Sequence, residues 1–164
     1  MKTLRREALL AVVVVSLTAT LASSQSPNAG VSFELVPDVK VSNPQGPQLN
    51  IDAKAETAVW DHCCDGGKWK ARFTWHVPQE MSVGQSYPIE LGITIDSYQS
   101  GGPSGFQMNV LAPDLAEALN VQAPTPGRGT RTVTFLARDY LKDSKEFSMT
   151  IGFLSGGVTY TYRR

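Results

Sequence analysis

"YPIELGITID", residues 87–96, decides the fold. Ile89, Leu91, Ile93 and Ile95 alternate with Glu90, Gly92, Thr94 and Asp96. A period of two with one apolar face belongs to a half-buried strand, whereas a helix would space its apolar residues by three and four. Pro88 is tolerable near the start, because a strand's first residues need not donate to the ladder.

The same period recurs outward from this stretch. "KEFSMTIGF", residues 145–153, offers Phe147, Met149, Ile151 and Phe153 to a core, and "SGG" at 155–157 turns the chain. "VTYTYRR" then returns with Val158, Tyr160 and Tyr162 on one face, which makes a C-terminal hairpin. "RTVTFLA" buries Val133 and Phe135, "FQMNVLA" at 106–112 is a strand, and "VSFELV" at 31–36 reads as an edge strand closed by Pro37. "WKARFTWHV" aligns Trp69, Ala71, Phe73, Trp75 and Val77. "LNIDAKAETAVW" at 49–60 reads as one strand with Leu49, Ile51, Ala53, Ala55, Thr57 and Val59 on its apolar face. Only "PDLAEALN" at 113–120 leans helical, as a connection of about two turns that Asp114 could cap. Eight or nine short strands with regular turns predict an all-β chain, a single antiparallel β-sandwich of Ig-like or jelly-roll type. No Cys…Trp…Cys framework is present, so a standard disulfide-pinned Ig domain is excluded.

Residues 1–24 read as a secretory signal peptide. Lys2, Arg5 and Arg6 precede the apolar run at 8–22, and Ala22 and Ser24 suit a cut before Gln25. The run is short for a membrane span. A twin-arginine signal, or a retained anchor or pilin-like helix, are the rival readings of this segment. Residues 25–48, rich in Pro and Gly, follow as a segment with an edge or donor strand, and residues 49–164 as the sandwich. Removing Lys2, Arg5, Arg6 and Glu7 leaves 12 basic and 14 acidic residues, a net charge of −2. No basic stripe stands out, which argues against nucleic acid as a partner. No second apolar run of about 18 residues occurs, which argues against a membrane for the mature domain.

The sharpest local feature is "WDHCCDGGKW" at 60–69, which holds both cysteines, Cys63 and Cys64, side by side. Neighbouring Cα atoms lie about 3.8 Å apart, below the usual disulfide range, so a bond between them needs a distorted or cis peptide. Export to an oxidising compartment favours a disulfide, so the vicinal ring leads over interchain disulfides and reduced thiols. The alternative is a zinc or copper site from Asp61, His62, Cys63, Cys64 and Asp65. Recognised zinc patterns separate paired cysteines by two to four residues. His76 would lie about 23 Å down the strand and cannot join that site.

Pairing Val59 with Trp69 aligns the apolar faces of 49–60 and 69–77. It sets Glu56 opposite Arg72 and Asp52 opposite His76. By the same parity Trp60 and Tyr98 are the exposed aromatic residues that could touch a ligand or partner. There is no H-E-x-x-H, no G-x-S-x-G and no nucleophile near either histidine, so the sequence points away from an enzyme. The expectation is a secreted structural or interaction module without a cofactor. It would bind itself or other extracellular proteins and build a fibre or surface layer, with strand addition through residues 31–42. The other reading is a small exported metal- or ligand-binding protein using the loop 60–69.

Overall fold

The computed structural model describes residues 30–63, 67–99, 101–123, 127–154 and 156–164. Residues 1–24, and with them the expected signal peptide, lie outside the described residues. Twelve strands run through the described part: β1 (Ser32–Leu35), β2 (Lys40–Ser42), β3 (Leu49–Asp52), β4 (Thr57–His62), β5 (Trp69–His76), β6 (Glu80–Ser82), β7 (Ser86–Tyr98), β8 (Gly105–Ala112), β9 (Leu115–Gln122), β10 (Arg128–Leu136), β11 (Glu146–Phe153) and β12 (Gly156–Arg163). Two 3-10 turns, Gly46–Gln48 and Asp139–Asp143, are the only helical elements among them.

Every pairing is antiparallel. One sheet has the order β6-β1-β12-β11-β8-β9, with β2 also on β12; the other has the order β10-β7-β5-β4-β3. Alternation produces this directly. In β7, Ile89, Leu91, Ile93 and Ile95 are all buried, and so are Phe147, Met149, Ile151 and Phe153 in β11. The C-terminal hairpin pairs Met149 with Tyr160 and Ile151 with Val158. Rings from the two sheets meet in one core. Phe153 of β11 stacks on Phe73 of β5 with centroids 5.5 Å apart, and Trp75 of β5 lies 5.5 Å from the same ring.

Three expectations fail, each for a local reason. Residues 49–60 are two strands, not one. The Asp52 carboxylate accepts from the amides of Lys54 (3.1 Å) and Ala55 (2.9 Å), which bends the chain. Glu56 then takes a left-handed φ of 54°. The turn shifts the parity of β4, so Ala58 and Trp60 face the core in place of Val59, and His62, not Val59, pairs with Trp69. Residues 113–120 are not helical. Pro113 and Asp114 form a two-residue turn with Asp114 at φ 57°, and β9 pairs back on β8 with Leu119 and Val121 buried. A Pro followed by a residue at positive φ suits a type II turn.

The third correction concerns residues 31–36. β1 is not an edge strand: Phe33 pairs with Met81 on β6, Glu34 pairs with Arg163 on β12, and the Phe33 side chain is 0% exposed. β2 lies further along the same side of β12, with Val41 opposite Val158, and among the described residues it pairs with nothing else. The edge expected of residues 31–36 therefore belongs to residues 40–42.

Candidate functional site

Of the loop 60–69, residues 60–63 and 67–69 are described. Trp60 faces the core and is only 8% exposed, edge-to-face on Trp69 at 5.3 Å and on Phe106 at 5.7 Å. It is not the exposed contact residue predicted. Tyr98 is also turned inward. A register shift between Lys70 and Ala71 places Lys70 opposite Ser97 but Ala71 opposite Ile95, which leaves Asp96 as an extra residue. Such a bulge reverses the alternation beyond it. Tyr98 then pairs with Trp69, half-buried, and its hydroxyl donates to the Pro103 carbonyl at 3.2 Å. Gly102 closes over both rings; a Cβ there would lie 2.8 Å from Tyr98 and 2.9 Å from Trp69.

Asp61 and His62 alternate across β4. Asp61 points outward to Lys70 at 3.1 Å. His62 stacks on Trp69 at 4.0 Å, with Nδ1 2.9 Å from Gln48 Oε1. Adjacent strand residues project to opposite faces and do not converge on one ion. Among the described residues no cluster of three metal-ligating side chains occurs. Cys64 and Asp65 lie outside the described residues, so the vicinal disulfide and the full metal set fall partly beyond them. The buried indole N–H groups of Trp60 and Trp69 have no hydrogen-bond partner among the described residues.

A different site emerges where the chain leaves β12 between β1 and β2. Val36 still donates to Thr161 at 2.8 Å, and Lys40 pairs again opposite Thr159. Between them residues 37–39 lift away and open a cleft of about 610 Å³. Its walls are Leu35, Val36, Pro37, Asp38 and Val39 on one side and Ala53, Lys54 and Glu56 of the β3–β4 turn on the other, with Tyr160 and Gln79 completing it. This volume falls within the range of ligand pockets. Two residues beyond Val39, Val41 on β2 is 49% exposed, although its partner Val158 is buried.

The polar groups of the cleft are held by the fold. Trp75 Nε1 donates to the Tyr160 hydroxyl at 2.5 Å, which in turn donates to the Ala53 carbonyl at 3.3 Å. Burial pushes the Tyr160 hydroxyl up to about 12; the Trp75 bond opposes this and the Glu56 charge adds to it. The phenol is therefore neutral at physiological pH. Glu56 fastens the β3–β4 turn to the end of β5. Its Oε1 accepts from the Val77 amide at 3.0 Å, its Oε2 lies 2.8 Å from His76 Nδ1, and its carbonyl accepts from the Trp75 amide at 3.0 Å. His76 thus pairs with Glu56, not with Asp52.

Sequence reasoning missed this site because it took 49–60 as continuous. The available signal was Asp52 followed by Ala53, Lys54, Ala55 and Glu56, a run of poor strand formers behind an Asx-turn residue. No family model matches the chain, and neither a curated protein nor a solved structure matches it.

Proposed function

We propose that this chain is an exported interaction protein whose contact surface is the free edge of β2 together with the cleft beside it. Export rests on the order of charged, apolar and small residues in 1–24. The two sheets are read as the layers of a β-sandwich, on the strength of the rings that stack between them. One observation carries the functional reading: a strand edge unpaired among the described residues lies beside a cleft with Val36, Pro37 and Val39 in its walls. Edge N–H and C=O groups bind an extended polypeptide through its backbone, and a neighbouring pocket selects its side chains. Val39 in the wall and the half-exposed Val41 on the β2 edge would receive the partner's apolar residues.

Selection of nine-residue random peptides by display on the purified chain tests this. Peptides rich in β-branched residues are expected, and Val41→Lys should weaken them at least about tenfold, in line with the loss of a central apolar contact. Selected peptides that bind wild type and Val41→Lys equally would contradict it.

A second reading keeps the loop 60–69 as a ligand site, favoured by the two indole N–H groups that lack an acceptor among the described residues. Buried donors without partners cost free energy that a ligand carbonyl or carboxylate would recover. Asp61 and His62 project to opposite faces, so this reading calls for an acceptor-bearing ligand in place of zinc or copper.

A further inference from the structure

We propose that the outer face of β5, β7 and β10 carries a separate binding groove, which takes a short peptide with free ends. These strands belong to the other sheet from β2, and the groove stands or falls without the edge reading above.

The faces follow from complete strands. In β7, Ile89, Leu91 and Ile93 are buried, so Glu90 and Gly92 belong to the outer face. In β10 the buried Val133 and Phe135 put Arg128, Thr130 and Thr132 outside, and in β5 the buried Phe73 and Trp75 put Thr74 outside. Gly92 pairs with Thr74 on one side and Thr130 on the other, and Glu90 pairs with Thr132. With no side chain at Gly92 between two threonines, the row is notched; a Cβ there would lie 2.5 Å from Thr74 Oγ1. The groove encloses about 420 Å³, within the range of ligand pockets. Trp75, Leu91 and Arg131 complete its lining, but Trp75 and Leu91 are buried and Arg131 reaches away to Glu117 and the Ala118 carbonyl on β9.

The charges on this face single out two residues. Lys70 is paired with Asp61 at 3.1 Å, Arg72 with Asp96 at 2.8 Å and His76 with Glu56 at 2.8 Å. Glu90 and Arg128 both line the groove, and neither has an ion pair among the described residues. They stand at its two ends. Arg128 lies opposite Thr94, four residues along β7 from Glu90, which is about 13 Å at strand rise. Thr130 and Thr74 lie between the two, and Thr132 lies beside Glu90.

Charge decides the ligand. An anion alone would pair Arg128 and leave Glu90 unpaired, and a cation alone would do the reverse. A molecule with a cationic and an anionic end pairs both. An extended peptide covers about 3.3–3.6 Å per residue, so about three residues span the groove once the reach of the two side chains is subtracted. The peptide's ammonium group then meets Glu90 and its carboxylate meets Arg128. Its amides face the threonine hydroxyls, which both donate and accept. Glu90 and Arg128 are exposed, so binding is weak and selectivity resides in the two ends.

A nuclear magnetic resonance titration of the purified chain with trialanine, N-acetyl-trialanine and trialanine amide tests this. Trialanine should shift the amide signals of residues 74, 90–92 and 128–132 saturably in the millimolar range. Each blocked peptide lacks one charge and should bind about threefold to fivefold more weakly. Glu90→Gln should weaken trialanine by the same factor and no longer distinguish it from N-acetyl-trialanine; Arg128→Gln should likewise no longer distinguish it from the amide. The blocked peptides probe both ends on wild type, so a variant that fails to fold does not leave the question open. No saturable shift at these residues, blocked peptides that bind as tightly as trialanine, or folded variants that still discriminate between free and blocked ends would each overturn the proposal.

Discussion

Tyr160 links the two sheets through a donated bond from Trp75 and a bond given to Ala53. Tyr160→Phe leaves the buried Trp75 indole without an acceptor and should cost about 1–3 kcal/mol in denaturant unfolding. Its pH dependence is also defined. A tyrosine ionises at about 10 in the unfolded chain, and Tyr160 holds its proton to about 12 in the folded one. A raised folded value stabilises fully below the unfolded value and is lost as pH rises through the folded one. Wild type should therefore lose up to about 3 kcal/mol more than Tyr160→Phe between about pH 10 and 12. Tyr162 is shifted the same way, first by burial, which both proteins share, and further by the Tyr160 charge, which only wild type has. Identical alkaline slopes would contradict this role. Cys63 and Cys64 are expected to be oxidised to each other, as a monomer two hydrogens lighter than the dithiol that resists alkylation. Two alkylated thiols would refute it. At this scale the sequence was legible wherever alternation ran unbroken, as at Phe147 or Ile93. Trp60 and Tyr98 were misplaced because one turn and one bulge each moved the chain by a single residue. A one-residue slip exchanges the faces, and nothing in the alternation itself announces it.

Among the elements, β1 and β2 divide what looked like one loose strand. Phe33 is fully buried and meets Phe147 edge-to-face at 5.1 Å. Phe33→Ala should cost about 3–5 kcal/mol, read from the denaturant midpoint. Deleting residues 25–42 removes Phe33 and a strand that both β6 and β12 pair with, so the truncated chain is expected to unfold. A truncation with native near-ultraviolet circular dichroism would show that β1 is dispensable. Val41→Thr, by contrast, should leave stability within about 0.5 kcal/mol of wild type, since the side chain is already half exposed. The strand set was readable from period and punctuation, and β5, β7, β8, β10, β11 and β12 lie where those signals put them. Residues 113–120 were not readable in this way. Leu, Ala and Glu favour helix intrinsically, and the pairing of β9 with β8 outweighs that preference. The cleft was invisible for a related reason, because it depends on which strand residues 37–39 leave and rejoin.

Across the whole molecule, the edge strands differ in length. β2, β3 and β6 have three or four residues each, a common protection against unwanted sheet growth, whereas β9 and β10 have eight and nine. Against that background the β2 edge is notable for the cleft beside it, with Val36, Pro37 and Val39 in its walls. The chain isolated from its native host is expected to begin near Gln25, which intact mass will decide; a chain retaining residues 9–21 would refute cleavage there. The most direct test of the contact surface is residue-resolved amide hydrogen exchange on the chain, with and without its tightest display-selected peptide. The account predicts new protection confined to residues 38–42 and the walls of the cleft. Protection confined instead to residues 60–69, with 38–42 unchanged, would contradict it.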